Sequence, residues 1–297
     1  MEKSPSKYIV LAGTFFTSLS SIIIRFSEAP ALVISAYRML FTSLMLLIPV
    51  MMYNKSEFKN ITRKEYKLCM LSGIFLAFHF ASWISSLKMT TVANSTILVS
   101  CSPIFVALAN YLKFKEKLSR KMVLGISMSL VGTIIIALGS SGETSGNSML
   151  GNILAFLGAI FVAGYLVIGG FVRKKLSAGV YVFIVYSAST VVLFIMCIAA
   201  GIPLYPYAPK EFMLFIALAF FCSILGHTVY NYMVKYVSST LISVSTLSEP
   251  IFASILAVLI FKEFPSLYTL SGGIIIITGI FYYLVTQNRE IKSIKNN

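Results

Sequence analysis

The sequence predicts an all-α membrane protein, with ten transmembrane helices arranged as two inverted five-helix repeats. Three observations lead there. The chain has 297 residues, of which 11% are charged and 58% apolar, and its mean hydropathy is +0.88. A soluble domain is about 25% charged, so a water-soluble globule is excluded as the expectation. Next, apolar stretches of roughly 20 residues recur along the chain, the length that crosses a hydrocarbon core about 30 Å thick. Finally, the second half repeats part of the first at an offset of 147 residues.

The ten stretches are 8–26, 31–53, 66–87, 92–112, 120–140, 149–171, 180–202, 211–234, 238–261 and 267–286. The first follows Lys3 and Lys7 and resembles a signal peptide. It lacks an A-x-A cleavage site and further spans follow, so a retained helix is expected. Its Gly13, Thr17 and Ser21 form a close-packing ladder. Glu28-Ala29-Pro30 precedes the second stretch, which carries Arg38 about seven residues below its outer end. The third carries His79 and Trp83, one helical turn apart. The fourth and ninth are rich in small polar residues, among them Asn94, Ser102 and Ser245, and each contains a proline, Pro103 or Pro250. Gly139 to Gly146 separates the fifth from the sixth, which holds a second ladder of Ala155, Ala159 and Ala163, and also Tyr165. Pro203 to Pro209 separates the seventh from the eighth, which carries His227 and Tyr230. Glu249 lies about eleven residues into the ninth, near mid-depth at 1.5 Å per residue. Runs this long point to helices, because barrel strands would alternate polar and apolar residues over about ten positions.

Lys and Arg counts set the expected orientation, since positive residues remain on the cytoplasmic side. With both termini cytoplasmic, nineteen fall on that side, while Arg25, Lys88, Lys210 and Lys262 fall on the other and Arg38 lies within a span. The net charge of +14 is therefore a statement about orientation, and no nucleic-acid partner is expected. Four cysteines, Cys69, Cys101, Cys197 and Cys222, lie inside spans without metal-ligand spacing and read as small packing residues. There is no aspartate, which excludes paired-Asp intramembrane proteolysis and Asp-rich magnesium sites.

The repeat contains eleven identities over positions 88 to 132, including Lys88 with Lys235, Pro103 with Pro250, Glu116 with Glu263, Gly125 with Gly272 and Gly132 with Gly279. Composition alone gives roughly three. Five spans per half is an odd number, so residues 146–297 are expected to sit upside down relative to residues 1–145. Inverted repeats are the architecture of many secondary transporters, with the binding site between the halves near the midplane.

Leu87-Lys88-Met89-Thr90-Thr91-Val92-Ala93-Asn94, Ser102-Pro103-Ile104-Phe105-Val106-Ala107-Leu108 and Lys115-Glu116-Lys117-Leu118 resemble the first EamA repeat of the drug/metabolite transporter superfamily. Asn231 to Ser239 and Ser248-Glu249-Pro250-Ile251-Phe252-Ala253 resemble the second, and Arg38 stands where EamA proteins often have Arg. The resemblance implies a ten-helix, exporter-like carrier of small metabolites, often amino acids or related compounds, in the cell membrane.

The residues themselves name the candidates for substrate binding or coupling. A carboxyl at mid-depth is costly and normally faces a cavity or a partner, which makes Glu249 the leading one and a potential proton carrier; the alternative is a neutral packing role. His79 and His227 are pseudo-symmetric to within one residue, and Trp83 matches Tyr230 at the repeat offset. These rings could stack on a planar substrate or relay protons, or could be satisfied core groups. Arg38 could bind a carboxylate, pair with Glu28 or Glu249, or snorkel to headgroups, and snorkelling or structural pairing is favoured. Ser245, Ser102, Asn94 and Tyr165 are candidate cavity walls, and Pro103 and Pro250 candidate hinges. Lys115-Glu116 and Lys262-Glu263 read as headgroup anchors rather than gates.

A secondary active transporter, with protons as a candidate coupling ion, is thus the expectation. No G-x-x-x-x-G-K-[ST] occurs, and no cofactor, metal or enzymatic activity is expected. The partners are a small-molecule substrate and the lipid bilayer, and the chain is expected as a monomer or weak dimer. An intramembrane hydrolase or acyltransferase using His79 with Ser82 or Ser86 is an alternative class, but H-E-x-x-H and G-x-S-x-G are missing. A channel is another, without a visible filter sequence.

Overall fold

The computed structural model describes residues 8–114, 119–139, 148–233, 236, 246 and 248–296. Among these every regular element is helical. In chain order they are α1 (Tyr8–Phe26), α2 (Ala31–Tyr53), the short α3 (Lys55–Phe58), α4 (Arg63–Met89), α5 (Val92–Val99), α6 (Ser102–Phe114), α7 (Arg120–Gly139), α8 (Ser148–Val172) and α9 (Ala178–Ala199). There follow α10 (Pro209–Ala217), a π-helical segment (Leu218–Thr228), α11 (Val229–Met233), α12 (Glu249–Phe261) and α13 (Leu267–Asn296).

Ile9–Phe26, Ala31–Tyr53, Arg63–Leu87, Ser148–Val172, Ala178–Ala199 and Pro209–Met233 are each long and apolar enough to cross a bilayer. Val92–Val106, Glu249–Phe261 and Leu267–Tyr283 are shorter apolar helices. The outward side chains fit lipid as the solvent. Ile48, Met52, Leu138 and Ile198 are each 65–69% exposed, which in water would make an association-prone surface.

Local chemistry explains where the helices depart from the expected spans. The fourth stretch is broken at Ser100 and Cys101 rather than continuous. Pro103 has no N–H to give to the carbonyl of Val99, and it sits in the first turn of α6, where that missing donor costs nothing. Pro250 occupies the equivalent first turn of α12. The third stretch begins earlier than expected, because Thr62 and Glu65 form a reciprocal capping box that starts α4 at Arg63. The last helix runs ten residues past the expected 286, to Asn296.

The eighth stretch changes from α to π and back. Ser223 Oγ donates to the Leu218 carbonyl at 3.5 Å and Thr228 Oγ1 to the Ser223 carbonyl at 2.9 Å, both five residues back along the chain. Hydroxyls that bind the helix's own carbonyls hold the wider turn in place.

α7 and α13 lie in close contact along four glycines. A Cβ on Gly125 would come within 2.6 Å of the Gly279 carbonyl, and one on Gly132 within 2.5 Å of the Gly272 carbonyl. These are the four repeat-related glycines, paired crosswise, so the two helices run antiparallel. At the midpoint Ser129 Oγ donates to the Ile276 carbonyl at 3.3 Å, a pair 147 residues apart. In α8, Ala155, Ala159 and Ala163 are buried and pack closely, as their spacing predicts.

Candidate functional site

A cavity of about 130 Å³ lies among α4, the α5–α6 break, α8, the α10–α11 helix and the start of α12. His79, Trp83, Ser102, Pro103, Tyr165, His227, Tyr230 and Glu249, all expected site residues, line it together. Several are repeat mates. Trp83 with Tyr230, Val99 with Thr246, and Ser102 with Glu249 are each 147 apart, and both members of each pair face the cavity.

The rings are arranged by their helices. His79 and Trp83, one turn apart on α4, stack at 5.9 Å with planes 4° apart. His79 Nδ1–H donates to the Gly158 carbonyl on α8 at 2.9 Å, which fixes the ring and leaves Nε2 as the other nitrogen. The Trp83 indole N–H is buried without a protein partner. His227 stands edge-on to Phe80 at 5.6 Å and to Tyr230 at 6.1 Å. Tyr230 donates to Thr14 Oγ1 at 2.8 Å and lies 3.1 Å from Thr17 Oγ1 on α1. Tyr165 accepts from Asn231 Nδ2 at 2.6 Å.

Glu249 opens α12 and is the single acidic side chain among the described lining residues. Thr17 of α1 and Arg38 of α2 are among the groups that act on it electrostatically. Arg38 does not snorkel. It is fully buried, with Nε donating to Ser223 Oγ at 2.9 Å and its guanidinium 4.3 Å from the centre of the Phe80 ring. The π-turn serine and the Phe80 face hold it inward. It does not line the cavity, because Phe80 stands between it and His227.

Two other expected residues lie elsewhere. Asn94 is buried, and its Oδ1 accepts from Thr269 Oγ1 of α13 at 2.7 Å. It sits in the first turn of α5, close to the helix end and away from mid-depth. Pro250 is buried beside the cavity but does not line it. Ser245 and the Lys115-Glu116 pair lie outside the described residues.

Sequence reasoning missed Thr17, which reads as a packing residue, and Asn231, which entered only as part of the family-like segment 231–239. Asn231 lines the cavity, and its carbonyl accepts from Arg173 Nε at 3.0 Å. The sequence held no signal that set them apart, because α1 and the eighth stretch carry many other hydroxyl and ring groups.

One end of the helix bundle is closed by charge. Arg25 Nη2 meets Glu263 Oε2 at 3.0 Å, Arg25 Nη1 donates to the Leu87 carbonyl at 3.1 Å, and Glu263 Oε1 accepts from Val92 N at 2.6 Å. Glu263 reaches them because Lys262, with φ 58°, ends α12 in the left-handed conformation. Glu263 therefore joins α12 to α1 and α5 instead of anchoring to headgroups. Nearby, Glu211 accepts from Ser27 Oγ and, at 2.9 Å, from Glu28 N, and Lys88 donates to the Ser27 carbonyl. At the opposite end Glu65 pairs with Lys175 at 3.2 Å, and Glu57 accepts from Ser177 N at 2.6 Å. The cavity lining reaches Gly169 and Gly170, close to that end of α8, and a Cβ on Gly170 would meet nothing.

An all-helical membrane body that encloses a largely apolar, ring-lined cavity with one carboxyl in its wall has the form of a small-molecule transporter. The sequence profile of the EamA-like transporter family matches residues 6–138 and 149–285, and the chain belongs to that family. An uncharacterized transporter of Archaeoglobus fulgidus is 28% identical, over 74% of this chain and 75% of its own length. The S-adenosylmethionine uptake transporter of Rickettsia bellii is 24% identical over 87% of this chain and 85% of its own. Solute carrier family 35 member G1 of Mus musculus is 24% identical over 92% and 76%. One crystal structure shares the fold with a TM-score of 0.66 at 15% identity, covering 94% of this chain and 96% of the other.

Proposed function

We propose that this chain is a secondary active transporter, not an enzyme, for small amphipathic metabolites such as amino acids or related compounds. It works by alternating access between two halves, residues 1–145 and 146–297. The observation that carries the reading is Glu249, a carboxyl at the wall of a largely apolar cavity that also holds two histidines and the repeat-related Trp83 and Tyr230. The crosswise glycine pairing of α7 and α13 supports two inverted halves that meet along a fixed antiparallel seam.

The Lys and Arg bias supports both termini facing the cytoplasm of a cell membrane. The Arg25–Glu263 end is then external and closed, so this conformation faces inward. Export is the proposed direction, on the strength of the family likeness, and Glu249 is the proposed proton carrier. A relative named for uptake makes direction the first property to measure.

The test is counterflow in proteoliposomes across a metabolite panel, with and without a pH gradient. Saturable counterflow of one solute class is expected. Glu249→Gln should remove the response to the pH gradient while counterflow persists at saturating solute. Gradient drive unaltered in that variant would remove Glu249 from coupling, and solute flux with no counterflow would point to a channel.

A further inference from the structure

We propose that the cavity selects a planar ring carrying a protonated nitrogen, an aromatic amine or a similar organic cation, over a zwitterion or an anion with the same ring. This moves the transporter reading from amino acids themselves to related compounds that keep the ring and the amine but lack the carboxylate, and it rests on that reading for turnover, although not for binding.

Charge is the first argument. Among the described lining residues Glu249 is the single carboxylate, and no Lys or Arg lines the cavity. A cation entering there meets a counter-charge, whereas a substrate carboxylate would be stripped of water and meet none. Arg38 does not serve as that partner. It is fully enclosed behind the Phe80 ring and tied to Ser223 through Nε, and although its two Nη groups have no hydrogen-bond partner among the described residues, a ligand would have to displace Phe80 to reach them.

Ring geometry is the second. His79 and Trp83 are stacked in parallel on the cavity wall, with planes 4° apart, and Tyr165, His227 and Tyr230 supply further aromatic surface. Aromatic faces attract a cation in addition to stacking on a ring, and the attraction strengthens where water is excluded. The third argument is size. The free volume of about 130 Å³ is close to the ~150 Å³ that accommodates one benzene ring.

The protein carries its own reporter, because Trp83 is the sole tryptophan and lines the cavity. With the full chain in lipid nanodiscs, Trp83 emission is titrated with four probes sharing one ring: phenethylamine, phenylalanine, phenylacetate and phenethyl alcohol. The amine should change the emission saturably. The zwitterion and the alcohol should bind about tenfold more weakly, a difference of ~1.4 kcal/mol, and the anion should give no saturable change. In Glu249→Gln the affinity for the amine should fall about tenfold while that for the alcohol holds, which also reports an intact cavity.

Equal or tighter binding of phenylacetate or phenylalanine would overturn the proposal. So would an amine affinity untouched by Glu249→Gln, or the absence of any amine response. If the variant does not fold, the order of the four probes on the unaltered protein decides alone. Counterflow separates this claim from the transporter reading. Amine binding without counterflow would sink the transporter and leave the site chemistry standing, whereas counterflow of an anionic solute with no amine binding would do the reverse.

Discussion

Glu249 stands in the cavity wall at the first turn of α12, with Thr17 and Arg38 acting on it electrostatically. In a chain with ten acidic residues and two histidines, each ionisable group inside a span is conspicuous, and the ionisable part of the cavity wall was legible for that reason. Glu249, His79, His227, Trp83 and Tyr230 were found by their chemistry and by the 147-residue register. Asn94 misled because composition cannot separate a cavity wall from a helix seam; its amide serves Thr269. His79 carries a test at this scale. Its Nδ1–H satisfies the buried Gly158 carbonyl, so His79→Leu should cost about 1–3 kcal/mol in stability, read by thermal unfolding in detergent. His79→Asn, which retains a donor, should recover part of that loss. Equal stability of all three proteins would mean that the hydrogen bond contributes nothing.

Helices were more legible than their irregularities. Apolar length gave α1 and α2 at their observed bounds, because a span's ends are set where polar residues meet the headgroups. The π segment was hidden, since it depends on Ser223 and Thr228 turning to carbonyls five residues back and on Arg38 reaching across from α2. His79 and Trp83 are four residues apart and His227 and Tyr230 three, both spacings that share a helix face, and each pair brings two rings to the cavity, at 5.9 and 6.1 Å. The α7–α13 seam was visible as matched glycines but not as a contact. Gly132→Leu, whose side chain would strike the Gly272 carbonyl and Ile276, should force the helices apart and lower the unfolding temperature well below that of Leu130→Ala on the exposed side of α7. Equal effects of the two changes would contradict a close antiparallel seam.

At the scale of the whole molecule the cavity lies between two charged ends, and the proposed alternating access requires that they not be open together. Glu263, Arg25 and Val92 N bridge one end, across α12, α1 and α5. Arg25→Ala or Glu263→Gln should shift the population toward the state open at that end and raise the accessibility of the cavity from it. Ser100, half-buried in the cavity wall at the α5–α6 break, gives a place to watch this. The measurement is the reaction of Ser100→Cys with a membrane-impermeant maleimide applied from each face of a sealed vesicle, in a protein whose four native cysteines are replaced. The account predicts fast labelling from the Lys175 face and slow labelling from the Arg25 face, with the slow rate rising when Arg25→Ala is added and the fast rate falling. Equal labelling from both faces, unmoved by breaking the Arg25–Glu263 pair, would contradict alternating access and leave a continuous pore in its place.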